Sequence, residues 1–349
     1  MGVIIAIVML LLLVMVHELG HFWMGKALGI GVEELAIGFG PKIFQKKSKN
    51  GILYTLRALP LGAFVRFAGE DEENDNPKAM NNQPVWKRFL TTLAGPAMNI
   101  LMAYVVMVIY MMTFGLNYNV PRIGQLMEGL PAQQAGLQVG DVIESVDGQS
   151  IDVEALDAFL QVREKIMGGK PGQPMELGII RNGERQKITL TPILSEESVL
   201  QIGIVFDVDV YRFSFLEAVP AGIRQLWSVM GEMLNMLKNL FFKGEGVDQI
   251  TGPVGTVGII SQQVAQGWDM ILNMLCVISL NLGIMNLLPI PALDGGRLVL
   301  LTVEAIRRKP MDRNKEGLVH LIGFGILIMV MLFFTYKDII RWITGNWGI

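Results

Sequence analysis

The chain alternates between long apolar runs and shorter patterned stretches. Four segments stay apolar for the roughly 20 residues that a membrane-crossing helix needs: about Gly2–Leu28, Phe89–Phe114, Met270–Leu288 and Leu318–Tyr336. Between the first two, Gly51–Gly69 is rich in β-formers interrupted by Pro60 and Gly62, a hairpin-like pattern, and Ala36–Pro41 leads into it. From about Val120 to Val208 the pattern is that of a small α+β domain. It predicts a helix near Val153–Ile166 and strands over Met175–Gly183 and Arg185–Pro192. Arg181-Asn-Gly-Glu184 between those strands is a strong two-residue hairpin signal. Ala218–Phe242 is apolar but carries Arg224, Glu232 and Lys238, which suits an amphipathic helix lying in the membrane interface.

Composition supports the membrane reading. Hydrophobic residues make up 51% of the chain and charged ones 17%, with a mean hydropathy of +0.43. The net charge of −3 says little about partners, but no basic stripe or nucleic-acid motif appears, so nucleic acid is not expected as a partner. The single cysteine, Cys276, rules out an intramolecular disulfide and reads as a buried thiol. The first run lacks the basic leader and small-residue cleavage site of a signal peptide, so it is expected to stay in the protein.

Cations near the span ends set the expected direction. The segment between spans one and two holds Lys26, Lys42, Lys46, Lys47, Lys49, Arg57, Arg66, Lys78, Lys87 and Arg88; that between spans three and four holds Arg297, Arg307, Arg308, Lys309, Arg313 and Lys315. Both are expected on the cytoplasmic side, which puts the termini and the α+β domain outside. The expected order is a first span 1–28, a cytoplasmic-side β region 29–88 and a second span 89–116. After these come the α+β domain 117–209, an interfacial helix and linker 210–268, a third span 269–296, a cytoplasmic loop 297–317 and a fourth span with tail 318–349. Within this scheme Glu70–Asn76 is a solvated acidic loop, Gly95-Pro96 a helix entry, and Thr251–Gly258 (TGPVGTVG) a turn without an assigned role.

The chemistry lies in the first span. His17-Glu-Leu-Gly-His21 follows an uncharged run, and ionisable groups at such a place usually mark function. At helical pitch the two imidazoles sit one turn apart on one face with Glu18 beside them, so they can hold one zinc ion while the carboxylate handles a water. If the helix starts near Met1, His17 is about 24 Å along it, toward the cytoplasmic side of a core ~30 Å thick. A catalytic zinc usually takes a third protein ligand. His320 at the start of span four is one candidate. Asp294 in Asn286-Leu-Leu-Pro-Ile-Pro-Ala-Leu-Asp294-Gly-Gly is the stronger, because span three runs in the same direction as span one. Pro289 and Pro291 break that helix, and Gly295-Gly296 let the chain turn the carboxylate inward. The β region is either a small surface sheet or a strand edge beside the metal, ready to pair with an extended substrate. Haem ligation by both histidines of one helical turn is sterically excluded. A purely structural scaffold would leave HELGH and Asp294 without a purpose.

HELGH, Ala94-Gly-Pro-Ala-Met-Asn99, an insert with GLQVGDVIESVDGQ similar to a bacterial PDZ domain, and Ser279–Gly296 (SLNLGIMNLLPIPALDGG) occur in this order along essentially the whole chain. Together they resemble the site-2 protease family, in particular its RseP-type bacterial intramembrane zinc metalloproteases. The resemblance implies zinc on His17, His21 and Asp294, catalysis by Glu18, and substrate contacts from Asn281 and Asn286. Those two asparagines could equally serve as hydrogen-bonding links between helices. It also implies a bacterial inner-membrane location and single-span membrane proteins, pre-clipped anti-sigma factors or remnant signal peptides, as substrates. The expected fold class is thus an α-helical polytopic membrane protein with four transmembrane helices, a cytoplasmic-side membrane-associated β-hairpin or sheet, and an extracytoplasmic PDZ domain. RseP carries two tandem PDZ domains, whereas this chain has room for one. That domain is either a peptide binder by strand addition or a steric filter.

Overall fold

The computed structural model describes residues 2–70, 75–155, 157–195, 199–246, 250–309 and 313–344. In chain order its elements are α1 (Gly2–Ala27), β1 (Val32–Lys47), β2 (Leu53–Phe67), a 3₁₀ turn (Met80–Asn82), α2 (Val85–Thr113), β3 (Leu116–Leu126), α3 (Pro131–Gln134), β4 (Val142–Val146), β5 (Gln149–Ser150), α4 (Ala158–Met167), β6 (Met175–Arg181), β7 (Glu184–Leu190), β8 (Ile193–Leu194), β9 (Leu200–Gln201), β10 (Ile204–Tyr211), α5 (Phe215–Lys243), α6 (Pro253–Gln263), α7 (Trp268–Leu287), α8 (Asp294–Arg307) and α9 (Arg313–Thr344). They form two compact units, Met1–Tyr110 with Ser214–Ile349, and Met111–Phe213.

The first unit is helical, with a β layer beside α1. Among the described residues, four helices, α1, α2, α7 and α9, are long and apolar enough to cross a membrane. The uniform apolarity of α1 hides a face. Ala6, Met9, Leu13, His17 and Gly20 are buried at three- and four-residue spacing, while Val3, Ile4, Val8, Leu12 and Trp23 are exposed. Small residues let backbones close up, as expected where lipid is no poorer a solvent than leucine: a Cβ at Gly20 would collide with the Ala94 carbonyl, and one at Gly283 with Ile100. The β layer is more elaborate than a hairpin confined to Gly51–Gly69. All of Leu53–Phe67 is one strand, and its partner is β1: Leu35 faces Val65 on one side and Tyr54 on the other, so the middle of β1 lies between the two halves of β2. Buried Glu34 pins this layer, accepting from Thr55 Oγ1 at 2.6 Å and Arg57 Nη2 at 2.8 Å. Burial alone would raise the Glu34 carboxyl, but these two partners outweigh it and hold it below its usual value.

Several expectations need correction. Pro96 is not at a helix entry but inside α2, which begins at Val85. TGPVGTVG is not a turn, because Pro253 opens α6 at a position where a missing N–H costs nothing. Buried Asp338 of α9 accepts the Gly255 N–H at 2.7 Å, capping α6 from a distant helix, and Gly252 and Gly255 leave no side chain in the way of that carboxylate. The expected loop 297–317 holds most of α8, whose buried Glu304 pairs with Arg88 of α2. Residues 310–312 and the tail 345–349 lie outside the described residues, as does most of the acidic stretch Glu70–Asn76. The helix expected over Ala218–Phe242 is α5, opened by a reciprocal Ser214–Glu217 capping box and closed by Gly244 in the left-handed region.

The second unit is a sheet in the order β10-β3-β4-β6-β7, with α4 packed against it. Alternating Met175, Leu177 and Ile179 of β6 point into a core with Ile123, Val146 and Val162. The hairpin signal is met in full: Arg181 pairs with Glu184, and Asn182 and Gly183 take φ of 51° and 83°, as a type I′ turn demands. The helix expected from Val153 starts only at Ala158. Arg181 grips buried Asp141 with two bonds of 2.7 Å, and the Gln138 N–H adds a third at 2.8 Å. Burial alone would push the Asp141 carboxyl up, yet these donors hold it below the ordinary value. A depressed folded-state pKa contributes stability above the unfolded value, about 3.9, that is lost as pH falls through the lower folded one. Hydrogen exchange of β6 and of residues 136–141, taken relative to the intrinsic amide rate at each pH, is therefore expected to accelerate below about pH 4. Asp141→Asn should accelerate it already at pH 7 and flatten the acid dependence.

Candidate active site

The site is assembled from α1, α2, β2, α7 and α8 of the first unit. α1 supplies His17 and His21, one helical turn apart, with their Nε2 atoms 3.1 Å from each other and ring planes at 85°. Asp294, the first residue of α8, brings Oδ2 to 3.0 Å from His17 Nε2 and 3.5 Å from His21 Nε2. Glu18 lies beside them, and its Oε2 accepts the Val65 N–H of β2 at 2.9 Å. These groups share one cleft of about 300 Å³, whose wall includes Phe64, Val65, Asn286 and Arg297.

Each side chain is held by its neighbours. On α2, Thr91, Gly95 and Asn99 succeed one another at four-residue steps on the face toward the histidines. The Thr91 carbonyl lies 2.8 Å from His21 Nδ1, and the Asn99 amide 3.3 Å from His17 Nδ1. A Cβ on Gly95 would collide with both imidazoles. Asp294 is presented by the loop that follows α7. There the strained residue is Ala292, with φ of 79°, whose N–H donates to His320 Nδ1 at 3.2 Å. Gly295 and Gly296 do not turn the chain as expected. They sit within α8 with ordinary φ, and a Cβ on either would strike the carbonyls of Leu288 or Ile290. On the opposite wall Arg297 pairs with Glu70, linking α8 to the end of β2.

The donor set fits a divalent cation. Thr91 O can only accept, so His21 carries its proton on Nδ1 and turns the Nε2 lone pair toward the cluster. That lone pair and the buried Asp294 Oδ2 converge with His17 Nε2, and all three atoms lie within 4.8 Å of one another. Two nitrogens and one carboxylate oxygen with an open side toward a cleft are the ligands expected of a catalytic zinc.

Of the residues singled out from sequence, His17, Glu18, His21, Asp294 and Asn286 are brought together. Asn281 is not: it is exposed on α7 and absent from the cleft wall. His320 supports the Asp294 loop rather than joining the cluster. Thr91 escaped sequence reasoning and Gly95 was read only as part of a helix entry, since a backbone carbonyl and a missing Cβ leave no chemical signature. Asn99 had one, a polar amide within an apolar run.

Membrane-type helices around a His–His–carboxylate cluster with an adjacent glutamate define a membrane-embedded metallohydrolase. Comparison with known proteins agrees. The model of peptidase family M50 matches residues 5–330. The zinc metalloprotease RasP of Geobacillus kaustophilus is 31% identical, with 94% of this chain and 95% of the relative covered. The regulator of sigma-W protease RasP of Bacillus subtilis is 32% identical over 94% of this chain and 96% of its own. Among solved structures, the PDZ domain of an SdrC-like protein from Listeria monocytogenes matches 26% of this chain and 88% of its own at 17% identity and a TM-score of 0.22. The chain belongs to peptidase family M50, the site-2 proteases, and is a zinc metalloprotease.

Gly95→Val should disrupt the cluster while leaving the spans intact. The purified chain is expected to hold less than one-tenth of the zinc of the wild type by elemental analysis, with unchanged helical circular dichroism.

Proposed function

We propose that this protease hydrolyses peptide bonds within or near the membrane-spanning helix of single-span membrane proteins, with zinc held by His17, His21 and Asp294. The observation that carries this reading is the convergence of these three ligand atoms and Glu18 on one cleft built by membrane-type helices. Bound zinc supplies Lewis-acid activation of water and of the scissile carbonyl. The Glu18 carboxylate takes the proton of the attacking water and delivers it to the leaving amide nitrogen. Its bond to the Val65 N–H fixes the carboxylate beside the cluster before substrate arrives.

A helical substrate hides its peptide bonds, so the target segment must unwind. The second half of β2 is paired to β1 on one side and lines the cleft with Phe64 and Val65 on the other. Strand addition there would replace the backbone hydrogen bonds that an apolar environment cannot supply. Asn286 in the cleft wall adds a side-chain amide for the same purpose. The cation distribution supports a cytoplasmic location for the 29–88 region and α8, with the second unit outside. We read that unit as a PDZ domain that selects substrates. Its groove of about 250 Å³ between α4 and β9–β10, lined by Phe159, Ile166, Ile202 and Ile204, favours docking of a peptide segment over a purely steric role. Pre-clipped anti-sigma factors and remnant signal peptides fit such a sequence of steps, in a bacterial inner membrane.

Co-expression with a tagged single-span test protein checks the chemistry. Glu18→Gln should reduce cleavage at least about 100-fold, in line with loss of a general acid–base. Asp294→Ala should abolish it, whereas His320→Ala should retain measurable cleavage. Equal cleavage by wild type and Glu18→Gln would refute the catalytic assignment.

A further inference from the structure

We infer that Asn99 is a positioning residue that sets the tautomer of His17 and so decides whether that imidazole can hold the metal. The inference rests on the reading of His17 as a ligand. Asn99 is fully buried in α2, and its amide nitrogen lies 3.3 Å from His17 Nδ1 while its amide oxygen, also buried, has no donor. A buried amide oxygen without a donor is costly, so its orientation needs a reason. As placed, the amide donates to Nδ1. His17 must then carry its proton on Nε2, facing Asp294 Oδ2 at 3.0 Å. That tautomer cannot bind a metal through Nε2.

Turning the amide by 180° exchanges two groups of nearly equal size and changes the chemistry. Oδ1 then accepts the Nδ1–H, the unpartnered oxygen is satisfied, and the Nε2 lone pair faces the cluster beside that of His21. Ligating histidines commonly have their second ring N–H held in this way, and loss of the holder typically costs 10–100-fold in metal affinity. The two ligands are served differently. His21 faces the Thr91 carbonyl, which can only accept and keeps one tautomer throughout. His17 faces an amide that, once turned, accepts the Nδ1–H and leaves Nε2 free for the metal, which satisfies both the amide oxygen and the imidazole. Placement is fixed independently of the side chain, because Ser279 Oγ of α7 donates to the Asn99 carbonyl at 2.8 Å.

Zinc retention by the full chain in detergent, measured by competition with a chromogenic chelator, tests the inference without reference to proteolysis. Asn99→Leu should release zinc at 10–100-fold lower chelator concentration. Asn99→Asp, which keeps the shape and can only accept, should retain zinc at least as well as wild type. Cys276→Ala, which removes a buried contact from α7 to the Ala103 carbonyl and has no part in the site, should leave retention unchanged. Wild-type retention by Asn99→Leu overturns the inference, as does loss in Asn99→Asp equal to that in Asn99→Leu. His17→Ala separates the two levels. If it keeps its zinc, the ligand reading itself fails; if it loses zinc while Asn99→Leu does not, only the role of Asn99 fails.

Discussion

Three ligand atoms with lone pairs, two imidazole nitrogens and a carboxylate oxygen, are held within 3.5 Å of one another in a setting that gives them few other partners. Without a proton or a cation between them they repel, and the low dielectric of the surroundings strengthens that repulsion. The rest of the first unit can be understood as what holds this arrangement together. α2 lies along the histidine face with a carbonyl, a gap and an amide at successive turns. The loop after α7 is strained at Ala292 and braced by His320, and the closely packed start of α8 brings Asp294 in from the other side. β2 holds Glu18 by a single backbone N–H.

Polar groups elsewhere in the membrane-type helices follow the same logic of paired or capped burial. Asp338 caps α6 across 83 residues of sequence, and the Cys276 thiol donates to the Ala103 carbonyl. Glycine and alanine at the helix contacts do the packing that the hydrophobic effect cannot drive in lipid. Function and architecture thus use the same residues. Gly95 lets α2 approach α1 and also makes the space that the imidazoles occupy.

Much of the site was legible because its chemistry is local or bound to a motif. His17, Glu18 and His21 share one helical turn, and Asp294 stands in a segment whose prolines announce a helix end. The Asn182-Gly183 hairpin was equally plain, since the turn demands those residues. The errors fell where a partner distant in sequence decides. The sequence around Thr251–Gly258 looks like a turn until Asp338 arrives to cap it. Residues 297–307 look like a basic loop until Glu304 finds Arg88. Asn281 and Asn286 are alike by spacing, yet only Asn286 reaches the cleft.

The sequence alone determined that an ionisable triplet sits in a membrane-length helix and that a separate α+β domain interrupts the spans, and it pointed to a second carboxylate as the partner of that triplet. These follow from composition and short-range periodicity, which each residue carries with it. Which face of α1 turns inward, which asparagine meets an imidazole and which backbone N–H holds Glu18 were decided by the tertiary structure. In a helix apolar on every side, hydrophobicity cannot distinguish protein from lipid, so the choice rests on shape and on hydrogen bonds between residues far apart in the chain.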